Sequence, residues 1–171
     1  MKIIYPGTFD PVTFGHIDII RRALNIFDHI EIAVVARSSK ELCFPVEDRV
    51  NMMKMSMLET GIDRVNVISF DSLLVDYMRK IDCRTFIRGL RANSDFEYEF
   101  QMQLVNRRLA PEISGLYLMP SEENMYLSST IVREIARFGG DLSTIVTVGV
   151  REALEKRFAK SAESKSDDWI Y

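Results

Sequence analysis

A chain of 171 residues, 47% of them apolar, is long enough to bury a substantial core without disulfide or metal staples. Charged residues make up 27%, and 22 Lys and Arg against 25 Asp and Glu leave a formal charge of −3. That balance excludes a disordered chain and gives no electrostatic footprint for nucleic acid, so an anionic ligand must be met by a local cluster of cations.

The first apolar run, Lys2–Tyr5, reads as a strand cut by Pro6-Gly7. It is too short for a signal peptide, and no stretch approaches the ~20 residues of a membrane span. Four further runs read as strands: Ile30–Ala36, Val65–Ile68, Thr85–Ile87 and Gly115–Leu118. Helical periodicity fills the gaps. Ile17, Ile20, Leu24 and Phe27 form one stripe, and Val46, Val50, Met53 and Met57 a second. Leu73, Val75, Tyr77 and Met78 sit in a shorter segment, Phe96, Phe100 and Leu104 mark a long helix, and Ile131, Ile135 and Phe138 a short one. Gly139-Gly140 stops that helix, and a last one runs from about Val150 to Phe158.

Five strands alternating with helices predict an α/β fold, a doubly wound, Rossmann-like parallel sheet with helices on both faces. One domain over residues 1–160 and a polar tail over 161–171 is the economical division. Cys43 and Cys83 lie outside any CxxC spacing and read as reduced packing residues, which places the chain in the cytoplasm. Two histidines, His16 and His29, do not make a histidine-rich zinc site; His29 reads as a turn residue.

Three strand-to-helix junctions carry unusual polar chemistry, and in open parallel sheets such junctions bind ligands. The first is Gly7-Thr8-Phe9-Asp10-Pro11-Val12-Thr13-Phe14-Gly15-His16. Its glycines admit close backbone approach, Asp10-Pro11 signals a turn, and Thr13 is a candidate N-cap that puts His16 in the first helical turn. A helix N-terminus attracts phosphate through its free N–H groups and dipole. The second junction is Arg88-Gly89-Leu90-Arg91, whose guanidinium forks suit phosphate. The third, Tyr126-Leu127-Ser128-Ser129-Thr130, is a hydroxyl cluster that caps a helix and can aim its N-terminus at the same ligand.

Thr13-Phe14-Gly15-His16 resembles the T/HxGH signature of the nucleotidyltransferase superfamily. The wider string from Tyr5 to Pro11, together with Arg88-Gly89-Leu90-Arg91 and Asp95-Phe96-Glu97-Tyr98-Glu99, resembles the bacterial phosphopantetheine adenylyltransferases, collinearly from Lys2 to Phe158. The resemblance implies transfer of the adenylyl group of ATP to 4′-phosphopantetheine, giving dephospho-coenzyme A and pyrophosphate. It implies catalytic roles for His16, Lys40 and Arg91. Thr8, Lys40, Leu74 and Arg88 would meet phosphopantetheine. Thr8, Phe9, His16, Gly89, Leu90, Arg91, Glu99, Asn124, Met125, Tyr126, Leu127, Ser128, Ser129 and Thr130 would meet ATP. Asn124 stands where the family has an aromatic, and Thr130 and Arg133 replace its serine and lysine. A magnesium ion carried mainly by ATP and a homohexameric assembly are also implied; Asp10 reads as a turn former, with an outer-sphere role toward that ion as the alternative. A nicotinamide-mononucleotide adenylyltransferase, a cytidylyltransferase and a non-catalytic nucleotide sensor stay open as rivals, the second junction favouring phosphopantetheine.

Overall fold

The structure, a computed structural model, describes residues 2–37, 41–91 and 93–163; Lys40 and residues 164–171 of the tail lie outside them. β1 (Ile4–Gly7) pairs in parallel with β2 (Ile30–Val35), from Ile4↔Glu31 to Gly7↔Val34, and β2 with β3 (Val65–Phe70). On its other side β1 meets β4 (Thr85–Gly89), which carries β5 (Ser114–Leu118) at the far edge. The strands are all parallel, as the alternation of strand and helix predicts, and stand in the order β3-β2-β1-β4-β5.

The crossovers are α1 (Phe14–Leu24), α2 (Val46–Glu59), α3 (Leu74–Lys80) and α4 (Asn93–Leu109). After β5 come a 3-10 turn (Glu122–Asn124), α5 (Ser129–Arg137) and α6 (Val148–Glu163). α1 shows why these segments are helical. Its Ile17, Ile19 and Ile20 are β-branched and each costs a few tenths of a kcal/mol in propensity, but all are buried, at roughly 1.5–3 kcal/mol apiece. Burial wins. Thr13 starts the helix, its hydroxyl accepting the N–H of His16, as the sequence predicts. α5 ends where Gly139-Gly140 requires: Gly139 takes φ 69°, and the amide of Gly140 returns to the carbonyl of Ile135 at 2.9 Å, a Schellman closure.

Successive strand residues divide between two cores. Ile3, Tyr5, Ile32, Val34 and Ile87 meet Ile17, Ile20, Met53, Met57, Val132 and Leu154. Ile4, Ala33 and Phe86 meet a smaller cluster with Val75, Met78 and Ile113.

Three details differ from the periodic reading. β1 and β4 run on through Gly7 and Gly89, because ladder pairing with β2 and β5 continues past the apolar run. α2 buries Arg49, Met52, Met53, Ser56 and Met57, so its inner stripe includes an arginine and a serine, with Val46 and Val50 only half-buried. In α4, Phe96, Phe100 and Leu104 are 51–56% exposed and make no core stripe in the isolated chain.

Candidate functional site

The sheet order reverses direction between β1 and β4, and there the two strands separate. Their recorded register is Ile4↔Phe86, whereas β1 pairs with β2 as far as Gly7. Beyond their carboxyl ends lies a cleft of about 570 Å³. All three sequence-predicted junctions line it: Gly7 through Asp10 with Gly15 and His16, then Arg88, Gly89 and Arg91, then Leu127 through Thr130. Glu99 and Arg133 complete much of the wall.

The first loop is tightly determined. A Cβ on Gly7 would come 2.7 Å from the Phe9 ring, which is 3% exposed and packs edge-on against Tyr5 and His16 with centroids 5.2 and 5.1 Å apart. Phe9 itself takes φ 47°, a left-handed conformation that non-glycine residues seldom adopt. The Asp10 carboxylate accepts the amide N–H of Cys43 at 2.8 Å and of Phe44 at 3.0 Å, and lies 3.5 Å from Arg133 Nη1. It is a buried tie between two loops, a role added to the turn that Asp10-Pro11 forms as the sequence predicts.

His16 closes a reciprocal cap. Its Nδ1 accepts the Thr13 backbone N–H at 3.1 Å, and a backbone N–H can only donate. Nδ1 is therefore unprotonated, and the proton of the neutral ring resides on Nε2. Desolvation is the main reason the ring's pKa falls to about 3, with Arg91 and then Arg88 adding repulsion. At neutral pH His16 is an uncharged hydrogen-bond donor.

The sign of the stability effect follows. Below about pH 6.5 the unfolded chain takes up a proton that the folded chain refuses until about pH 3. Stability therefore falls with pH across that window, at up to about 1.4 kcal/mol per unit from this group. Denaturant midpoints at pH 7, 6 and 5 should drop more steeply for wild type than for His16→Gln. Parallel slopes would contradict the assignment.

The cations are held by backbone. Arg88 donates from Nη1 to the Pro6 carbonyl at 2.7 Å, while its Nε and Nη2 grip Glu99 at 3.0 and 2.7 Å. Arg91 donates to the Leu127 carbonyl at 2.7 Å. Arg133 donates to the Asp10 carbonyl and, at 3.3 Å, to the Thr130 hydroxyl. Under them Tyr5 is buried, its phenol pKa pushed up by desolvation. Two helix N-termini meet here: Ser128 caps α5 through the Ile131 amide, and Ser129 donates to the Pro11 carbonyl at 2.7 Å, joining α5 to the loop before α1. Three guanidinium groups and two dipole ends face one space, which is the composition of a polyphosphate site.

Other sequence-predicted residues stand elsewhere. Leu90 follows β4, its amide bonded to the Leu118 carbonyl, and Asn124, Met125 and Tyr126 precede the wall formed by residues 127–130 without lining the cleft. Asn124 donates to Ser121 Oγ at 2.8 Å. Leu74 begins α3 and packs on the smaller core, away from the cleft. Lys40 falls outside the described residues. Sequence reasoning missed Arg49, which lies in the only buried arginine position of the described chain and bonds the carbonyl of Thr8 at 2.6 Å. Its signal was its phase: 49, 52, 53, 56 and 57 share one helical face. A larger cavity of about 750 Å³ lies between α2, α6 and the 42–46 segment; it includes none of the three predicted junctions and only one cleft-wall residue, Leu42, so the smaller cleft is the candidate site.

Over residues 4–135 the chain matches the cytidylyltransferase-like family. It is 43% identical over 159 residues to the phosphopantetheine adenylyltransferase of Methylacidiphilum infernorum (isolate V4), covering 93% of this chain and 92% of the relative. Among solved structures it resembles a Vibrio parahaemolyticus protein solved as a candidate nicotinate-nucleotide adenylyltransferase, with a TM-score of 0.69, 19% identity, and 90% and 97% of the two chains covered. At that identity the likeness concerns the fold alone.

Proposed function

This chain belongs to the cytidylyltransferase-like family, alongside the phosphopantetheine adenylyltransferases, and from that premise we infer that it adenylylates 4′-phosphopantetheine with ATP. The observation that carries this reading is the meeting of the His16 loop, the arginine turn and the Ser128–Thr130 cap around one cleft at the reversal point of the sheet.

An oxygen of the 4′-phosphate attacks the α-phosphorus of ATP in line. The new P–O bond forms as the bond from the α-phosphorus to the bridging oxygen breaks, and pyrophosphate leaves with that electron pair. A phosphate monoester has a second pKa near ~6, so the nucleophile is already largely ionised and needs no general base. Positioning and charge stabilisation remain for the protein. The neutral His16 donates from Nε2 to the oxygens of the α-phosphate, and Arg91 and Lys40 share the developing charge. Arg88 holds the acceptor phosphate near Thr8, with Leu74 assigned to the pantetheine arm by resemblance. Gly89 to Arg91, Glu99, Phe9 and residues 124–130 are assigned to ATP. Magnesium, bound by the triphosphate and water, would lower the repulsion between the two polyanions; among the described residues no group of three His, Cys, Asp or Glu side chains forms a cage for it.

The setting we assign is the cytoplasm; among the described residues no helix is long and apolar enough to cross a membrane. The assembly we assign is a homohexamer. What supports an assembly is α4, where Phe96 and Phe100 stack at 5.9 Å and, with Leu104, leave an apolar stripe uncovered, Val105 and Leu109 being exposed as well.

Pyrophosphate release from ATP, measured with phosphopantetheine, nicotinamide mononucleotide and nicotinate mononucleotide in turn, tests the reading. Release with phosphopantetheine alone is expected. Release with a pyridine mononucleotide alone would transfer the site to that rival, and ATP binding without release to any acceptor would make it a sensor.

A further inference from the structure

Arg49 is completely buried, although a guanidinium is costly to remove from water unless its donors are satisfied. Its bonds all run to backbone. Nη1 donates to the carbonyls of Thr8 at 2.6 Å and Val35 at 2.8 Å, Nη2 to Ala36 at 3.2 Å, and Nε to Phe44 at 3.1 Å. Those carbonyls come from three chain segments: the loop leaving β1, the end of β2, and the approach to α2. Two carboxylates act on it, Glu47 and, more strongly, Asp10, which itself receives the amides of Cys43 and Phe44. Arg49 therefore ties from one side the same two loops that Asp10 ties from the other.

Thr8 is the pivot. It precedes Phe9, whose ring supports His16, and it lines the cleft. Holding a carbonyl there by a short charge-assisted bond fixes the path of the loop without placing any charge in the cleft. Arg49 does not line the cleft, so it acts on the substrates through the backbone it holds, most directly the Thr8 loop.

We propose that Arg49 is a positioning residue for adenylyl transfer, setting the β1–α1 loop and thereby His16 relative to the reacting phosphate. The kinetic part rests on the function proposed above; the geometric part does not. A misplacement near 1 Å at a reacting group commonly costs about a hundredfold in rate. Arg49→Met keeps volume and removes every donor, while Arg49→Lys keeps the charge and gives up the fork.

The test combines kinetics with amide hydrogen exchange on the full chain, at a temperature where each variant is folded. For Arg49→Met the expected result is a 10–100-fold fall in kcat, with the KM for ATP changed less than threefold. Exchange should quicken over residues 8–16 and at Cys43 and Phe44, with β3 unchanged. Arg49→Lys should fall between, and it replaces Arg49→Met should the latter not fold. A kcat per folded molecule equal to wild type overturns the proposal, as does exchange that quickens uniformly or not at all in these loops. If wild type releases no pyrophosphate with phosphopantetheine, the proposed function fails, and the exchange pattern alone then decides whether Arg49 sets the loop.

Discussion

His16→Ala should lower turnover by on the order of 10²–10³-fold, the usual cost of losing one preorganised donor to transition-state charge. The substitution also removes the acceptor of the Thr13 N–H, a cap worth about 1 kcal/mol of stability. These two losses are separable. Glutamine at the third helical position accepts the cap amide in the same reciprocal pattern, so His16→Gln should recover much of the stability and little of the rate. Because the ring's pKa lies near 3, its titration does not shape the rate profile above pH 5. The acid limb belongs to the acceptor phosphate, near pH ~6, and should persist in the residual activity of both variants. Steady-state kinetics over pH 5–8 reads all of this. Alanine turnover within a few-fold of wild type would remove His16 from the chemistry.

The parts legible in the sequence are those whose causes are local. Thr13 as N-cap, Gly139-Gly140 as helix stop and the hydroxyl cap at Ser128 each depend on atoms within a few residues, and each appears where read. That the five strands run parallel follows from their alternation with helices, whereas their order in the sheet does not. Long-range ties left no such trace. Arg49 reaches Thr8 across 41 residues and Asp10 reaches Phe44 across 34, so Arg49 drew no reading at all and Asp10 showed only its local turn. Likewise, Phe96, Phe100 and Leu104 have helical spacing, but periodicity says only that a face is apolar, not what covers it. Lys40 rests on resemblance alone, while the convergence of the three junctions needed coordinates.

Arg88→Ala should act mainly on the acceptor. Charge-assisted bonds from a guanidinium to a phosphate contribute about 1.5–3 kcal/mol, which predicts a rise of roughly 10–100-fold in the KM for phosphopantetheine. The KM for ATP should move far less. The structure adds a second consequence, because the Glu99 side chain is only 13% exposed and loses the Arg88 fork. A carboxylate stripped of its partner at that depth costs about 1–3 kcal/mol in stability. Arg88→Ala combined with Glu99→Gln removes the uncompensated charge, so the double variant should regain stability while its KM for phosphopantetheine stays high. Arg88→Lys, retaining charge without the planar fork, should lie between wild type and alanine in both readouts. Were the double variant to restore the KM as well as the stability, the guanidinium would serve only to neutralise Glu99, and the acceptor phosphate would need a different cation in the cleft.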